Sequence, residues 1–497
     1  MELPVIIGAG QLTNRVSDLA GALSPLELMA ECARLAAADA GVPGALSRLD
    51  SVQVVNIISW PPPDPAGELA AAIGAGAGGE RINTVVGGDT PQRLVNESAL
   101  RLARGEIGLA LIAGAEAMHS LKLAAAAGGG APPWPPRSGR GLVQDRQAWA
   151  QTEVAHGAVL PARVYPMFEN AIRAQRGWSI EEHRQRLGEW GSRFSAVAAT
   201  NPHAWFREAR SPGEIITVSP SNRMTAFPYT KRLNAFLEVD QGAALLLASE
   251  TVARDLGVPR EKWVYLHGFA HLNDLWYLSD RQNYWSSPAL ARAAGLALGM
   301  ARTEVASVSH FDLYSCFPSA VEIAREAIGI PRSDVRPLTV TGGLPYFGGP
   351  GSNYGTHGIA TMAARLRERP GELGLATGLG MLMTKHAMGI YGASRPGGEW
   401  VPPDLVRAQQ EVDAAPHPAM ADEPAGAASI ESYTVAYGRD GQPEATVIIG
   451  RLADGRRFFA NGPTGDAHLA GLTAREGVGL RGRVAHNRAS GLNRFDW

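Results

Sequence analysis

Short apolar runs alternate with amphipathic stretches through most of the chain. Residues 4–8 (PVIIG) and 51–58 (SVQVVNII) read as buried β-strands, and between them Leu26–Asp39 has helical periodicity closed by Gly41 and Pro43. Residues 85–118 (VVGGDTPQRLVNESALRLARGEIGLALIAGAEAM) parse as strand, tight Gly87–Gly88 turn, helix from Pro91 and strand from Leu109. Asp89 or Thr90 is placed to cap that helix, with proline just inside it. Residues 358–383 (GIATMAARLRERPGELGLATGLGMLM) repeat the texture roughly 265 residues later: an alanine-rich helix, then Arg and Gly/Glu, then a strand of small residues. LALIAGAEAM and LGLATGLGML agree in length, character and position after the helix. The pattern implies two similar α/β halves with buried sheets.

Over residues 119–221 the texture changes. Ala124–Arg140 is rich in Gly, Ala and Pro and reads as a loop or cover. Pro166–Arg176 and Ser179–Thr200 are helical and mix charges with aromatics, as an inserted lid does. The β/α rhythm returns at Asp240–Gly257. Residues 403–428 are polar and Ala/Pro-rich, and beyond them short alternating strands with Asp440–Gly441 and Asp454–Gly455 turns predict β-hairpins and a small antiparallel barrel. The expected organisation is a first half from 1–120 and 222–258, an insertion 121–221, a second half 259–398, a linker 399–429 and the barrel 430–497.

Composition narrows the function classes. At 497 residues, 45% hydrophobic, 19% charged and net charge −2, the chain reads as a soluble globular protein with no global basic field for nucleic acid or anionic membrane. No apolar run reaches membrane-spanning length, and the start runs directly into a strand without a signal peptide, so a cytoplasmic address is expected. Cys32 and Cys316 are the two cysteines, with neither disulfide framework nor metal-ligand spacing. Cys32, on an alanine-rich helix, reads as a small buried hydrophobe. Arg451, Arg456, Arg457, Arg481 and Arg483 tint the barrel basic, and read as a solvated face rather than a nucleic-acid surface.

The stretch Thr341–Gly358 (TGGLPYFGGPGSNYGTHG) holds seven glycines and two prolines and precedes the helix-compatible run Ile359–Arg367. Such a loop brings backbone N–H groups and a helix start close to a ligand. Together with PYTKRLNAFLEVDQGAALLLASE (228–250), HFDLYSCFPSAVEIA (310–324), GGLPYFGGPGSNYG (342–355) and ATGLGMLMTKHAMGIYG (376–392), it resembles the thiolase superfamily. The likeness is to sterol-carrier-protein-type thiolases and thiolase-like proteins, over roughly residues 1–395. It implies an α/β duplicated thiolase fold, a five-layer αβαβα stack with an inserted loop domain, followed here by the OB-like barrel. It also implies acyltransferase descent, of the acetyl-CoA acetyltransferase kind, and CoA or acyl-CoA as ligand with no covalent cofactor.

Thiolases carry the acyl group on a cysteine at a helix start and move a proton with a second cysteine. The resemblance places that nucleophile at Gly88, the Gly-His-Pro histidine at Gly349, the second cysteine at Gly378 and the motif histidine at Tyr314. Glycine carries no acyl group and no proton, so ordinary thiolase chemistry is not expected. The remaining candidates for chemistry are Tyr314, His386, His357, Asp89 and Cys316, each of which also has a plain structural role as cap, packing group or hydrogen-bonded aromatic. The candidate binding loop comprises Gly87, Gly88, Gly348, Gly349, Gly378, Gly380, Tyr346 and Tyr354. Three functions stay open: a protein that binds CoA or acyl-CoA, a retro-aldol lyase on a β-hydroxyacyl-CoA using Tyr314, and a non-catalytic partner protein docking through its C-terminal domain. A monomer or homodimer is compatible with each.

Overall fold

The computed structural model describes residues 2–136, 138–463 and 465–497. Met1, Arg137 in the expected cover and Thr464 in the expected barrel lie outside them. The first half comprises β1 (Pro4–Thr13), α1 (Pro25–Asp39), β2 (Ser51–Val54), β3 (Glu80–Asn83), α2 (Thr90–Ala103), β4 (Leu109–Ala117) and, after the insertion, β5 (Asp240–Ser249). The insertion carries α3 (Pro161–Arg176) and α4 (Ile180–Thr200). The second half comprises β6 (Val264–Asn273), α5 (Pro288–Ala301), β7 (Val308–Asp312), α6 (Pro318–Ile328), α7 (Tyr354–Glu368), β8 (Leu373–Gly380) and β9 (Lys385–Gly392).

These strands form one sheet in the order β3-β2-β4-β5-β1-β6-β9-β8-β7. The duplication is visible in that order, because β2-β4-β5-β1 and β7-β8-β9-β6 are the same series read inward from opposite ends. In both copies the first pair is parallel and the following pairs antiparallel. The halves join where Val5 and Ile6 of β1 pair with Tyr265 and Val264 of β6. The helices α2 and α7 pack on each other and on strands of both halves, so they are the shared central layer. A matching detail supports common descent of the halves. Gly8 on β1 and Gly268 on β6 each let a helix backbone press onto the strand, Ala36 of α1 and Ala297 of α5 respectively, where any side chain would collide. Among the described residues no helix is long and apolar enough to cross a membrane.

The segment 399–429 is more ordered than a linker. Leu405–Asp413 is a helix, α8, capped by Asp404. Gln409 ties it to the second half, donating to the Asn273 carbonyl at 2.8 Å and accepting from the Asn273 N–H at 2.7 Å. The C-terminal unit then begins earlier than expected, with β10 (Gly426–Tyr437), β11 (Pro443–Leu452), β12 (Arg457–Ala460), α9 (Asp466–Ala474), β13 (Arg481–Asn487) and β14 (Leu492–Asp496). Its sheet runs β12-β11-β10-β13-β14 and closes on itself, Asn461 after β12 meeting Arg494 of β14 in a parallel bridge. The barrel is docked onto the rest, and β10 even pairs with the short strand Met224–Ala226 from the end of the insertion.

Buried charge holds that docking. Arg457 is wholly buried and not part of a solvated face. It forks onto Glu431 with two 2.8 Å bonds and reaches across to the carbonyls of Ser279 and Arg281 in the second half. Arg451 donates to the same two Glu431 oxygens at 2.7 and 2.8 Å. From the insertion, buried Arg173 forks onto Glu476 at 2.9 Å and donates to the Tyr433 hydroxyl at 3.1 Å. Removing one partner of such a pair strands the other in a desolvated place. Arg457→Met leaves Glu431 to Arg451 alone and loses the bonds to the Ser279 and Arg281 carbonyls, and should therefore lower stability by about 3 kcal/mol, read as a lower urea midpoint. An unchanged midpoint in this variant would show that the barrel does not depend on this contact.

Candidate functional site

The tight turn before α2 and the end of β8 meet in the central layer. A β-carbon on Gly88 would fall inside the envelope of the Tyr314 hydroxyl and ring, and would stand 2.6 Å from the Leu379 carbonyl. Tyr314 thus fills the space that a side chain at 88 would need. The neighbouring glycines answer the same crowding. A β-carbon at Gly378 would press on the Asp89 backbone at 2.9 Å, and at Gly380 or Gly87 it would strike the Asp89 carboxylate. Asp89 occupies the position before α2, yet its side chain makes no capping bond. It is 3% exposed and its Oδ1 is buried without a hydrogen-bond partner. Burial raises its carboxyl pKa, against the pull of Lys385, Arg93 and His386. Lys385, which sequence reasoning passed over, is itself buried and donates to the Val86 carbonyl at 3.0 Å.

Tyr314 is 7% exposed and its N–H donates to Thr377 at 2.8 Å. Its ring meets Tyr354 edge-on at 5.5 Å. Burial pushes the phenol well above its ordinary pKa, with Cys316 and Asp89 adding to the shift. Tyr354 is similarly raised by burial and by Asp312, and its hydroxyl bonds Thr341 at 2.6 Å. Asp312, from the HFD stretch, anchors the start of the glycine loop by accepting from Thr339 at 2.9 Å and the Val340 N–H at 3.0 Å.

The chain is similar to a monomeric SCP2-thiolase like protein type 1 from Mycobacterium smegmatis, at 34% identity and TM-score 0.86, over 99% of this chain and 98% of that one. It belongs to the SCP2-thiolase-like proteins of type 1. Residues 407–488 match the family model for the thiolase-like protein type 1 additional C-terminal domain. An acetyl-CoA acetyltransferase from Syntrophomonas wolfei shares the fold at 14% identity and TM-score 0.57, covering 80% of this chain and 100% of its own. So does an Ltp2-ChsH2(DUF35) aldolase, at 18% identity and TM-score 0.59, covering 79% and 99%. No curated protein sequence matches the chain.

The other candidates of this SCP2-thiolase-like chain lie around the centre in distinct settings. His386 bonds Ser287 at 3.1 Å and Asp274 at 3.2 Å through the same ring nitrogen. It lines a cavity of about 370 Å³ that also touches Asp89, Arg93 and His271 and is covered by α8. Cys316 is half-buried and its thiol is pushed up to about 12 by burial, with Tyr165 as its side-chain partner rather than a histidine. His357 is buried outside the cluster, bonded to Gln11 at 2.9 Å and packed on Phe347. Gly348 and Gly349 lie across the loop, against Gln241 and against Leu237 and Leu344 respectively.

Tyr346 leads to an open space. With Pro345 it borders a groove of about 430 Å³ whose further walls include Phe206, Arg210, Lys231, Arg232 and Phe236. Phe206 and Phe236 meet edge-on at 4.7 Å. The backbone of Phe236 is stitched to the glycine loop, its carbonyl accepting from Gly349 at 2.8 Å and its N–H donating to Leu344 at 3.1 Å. Lys231 is exposed and forms no ion pair among the described residues. Lys231 and Arg232 of this groove stand within the stretch 228–250 already singled out, but Phe206 and Arg210 come from the insertion and carry no local signal.

Two outcomes follow. Gly88→Cys should destabilise the protein by about 2–3 kcal/mol through overpacking, seen as a lower Tm. Adding Tyr314→Ala should recover only part, because the Leu379 carbonyl still crowds the new β-carbon; a Gly88→Cys protein as stable as the parent would refute the crowding. The second concerns pH. Burial holds His357 down to about 3 and His271 down to about 4. An unfolded histidine titrates near 6.5, so below that pH the unfolded chain binds protons that the native one refuses, and stability falls as pH falls. Each such group contributes about 1.4 kcal/mol per pH unit over its window. His357→Gln should make the loss of urea resistance between about pH 6.5 and 5 shallower, and an unchanged slope would show that this imidazole is not held neutral.

Proposed function

We propose that this protein binds CoA or an acyl-CoA in the groove beside the glycine loop, and that it does not run the cysteine-based thiolase reaction. The observation that carries the reading is the groove itself. Its edge-on phenylalanine pair offers a platform for a base, Lys231 and Arg232 offer partners for phosphate beside Arg210, which Glu208 and Glu214 already engage, and its inner wall is the glycine loop. The volume of about 430 Å³ lies in the range of small-molecule sites. The cysteine route is disfavoured because the position aligned with the nucleophile is filled by Tyr314, while Cys316 is held as a thiol. Like the relative described as monomeric, the chain is taken to act as a single copy. The strand order of its barrel, with a helix between the third and fourth strands, is read as OB-type.

One observation favours a second reading, retro-aldol cleavage of a β-hydroxyacyl-CoA. The Tyr314 hydroxyl stands at the place aligned with the acyl-carrying group, where it could donate a hydrogen bond to a thioester oxygen. Its raised pKa suits a donor and not a base.

Calorimetry with CoA and acetyl-CoA tests the first reading. Binding should be saturable, and Lys231→Gln with Arg232→Gln should weaken it about tenfold. No heat and no thermal stabilisation at millimolar ligand would reject it. Release of an aldehyde or ketone from a β-hydroxyacyl-CoA in the same samples would select the second reading.

A further inference from the structure

A cavity of about 650 Å³ lies along the seam between the insertion and the second half, and shares no lining residue with the basic groove or with the space beside Asp89. Helix α4 presents Leu187, Trp190, Phe194 and Val197 to it, spaced for one helical face. Trp190 and Phe194 stack at 4.4 Å. Opposite stand Glu322 and Arg325 of α6, the stretch 332–339, and Arg365 of α7. The apolar wall is continuous enough for a hydrocarbon body, and the volume suits a small molecule.

The buried unspent polar capacity in this wall is of one kind. Trp190 Nε1, on a side chain nine-tenths buried, and Arg325 Nε are buried N–H donors without a partner. Buried donors of this sort are normally satisfied, so two in one cavity point to an absent acceptor. Most charges here are already engaged. Arg186 pairs with Glu182, Arg332 with Glu326 and Arg336 with Asp334. Glu169 is taken by His183 and Tyr229, and Glu322 stands 3.9 Å from Arg325. The exceptions are Glu189, on the exposed side of α4, and two guanidiniums, Arg193 and Arg365, which form no ion pair among the described residues. Free donors and free cations beside a tryptophan–phenylalanine wall select one ligand chemistry.

We propose that this seam is a second binding site, for an apolar carboxylate of fatty-acid type, with the carboxylate held by Arg193, Arg365 and the Arg325 and Trp190 N–H groups. It stands independently of CoA binding. The test uses the full chain and dodecanoate below its micellar concentration, followed by tryptophan fluorescence and calorimetry. Saturable binding is expected, with dodecanol roughly tenfold weaker or worse, since it lacks the charge that the arginines bond. The double variant Arg193→Gln/Arg365→Gln should lose a similar factor while keeping its Tm, and prior saturation with CoA should leave the affinity unchanged. Equal binding of acid and alcohol by the parent chain would overturn the assignment, as would absence of saturation or undiminished affinity in the double variant. The first two readouts need no variant to fold.

Discussion

The space above Gly88 holds a single group, and in this protein it holds the phenol of Tyr314. The neighbouring choices follow from that occupancy. A side chain at 88 is excluded by the tyrosine on one side and the Leu379 carbonyl on the other. The turn can then sink toward β8, which brings Asp89 against Gly378 and Gly380 and leaves no room for side chains there either. Gly88, Gly378 and Gly380 are consequently steric partners of Tyr314 and Asp89, one packing solution distributed over three separate segments. A side chain introduced in one segment meets the other two.

The same tight centre explains the electrostatics. The Tyr314 phenol and the Asp89 carboxyl are buried there, and burial shifts both toward their neutral forms. A phenol shifted in this direction donates well and abstracts poorly. Chemistry that relies on stabilising a developing oxyanion suits such a place better than chemistry that needs a thiolate or a strong base. The outer parts are arranged differently. Barrel, insertion and second half are pinned by Arg457–Glu431 and Arg173–Glu476, charges whose desolvation is offset by forked geometry and by backbone carbonyls. Their directionality fixes one docking orientation, which an apolar interface of equal area does less strictly.

Much of this architecture was legible in the sequence because it is repeated. The texture shared by residues 85–118 and 358–383 marks two copies of one unit, and the structure places α2 with α7 and β4 with β8 in corresponding positions. The hairpin turns at Asp440–Gly441 and Asp454–Gly455 likewise mark real β-connections. What escaped was whatever depends on partners distant in the chain. Arg457 reads as a surface charge until Glu431 and the carbonyls of Ser279 and Arg281 surround it. Residues 405–413 read as linker because their helix is secured by Asn273, far back in the second half. The coupling of Gly88 to Tyr314 is equally invisible, since a glycine in sequence shows a missing side chain but not the atom that takes its place.

The open spaces of the protein lie apart from its crowded centre. Crowding at Gly88 is local: it acts over one side-chain diameter and leaves the groove by Phe236 and the seam by Trp190 open. Those spaces are built from the insertion as much as from the duplicated halves, through Phe206 and Arg210 in one case and α4 in the other. The residues of those spaces and the residues of the crowded centre are therefore different sets. The insertion is also where the barrel grips the molecule, through Arg173 and the strand Met224–Ala226. Any ligand that tightens the seam along α4 acts on the body that carries the barrel, so occupancy there and barrel docking share one mechanical support.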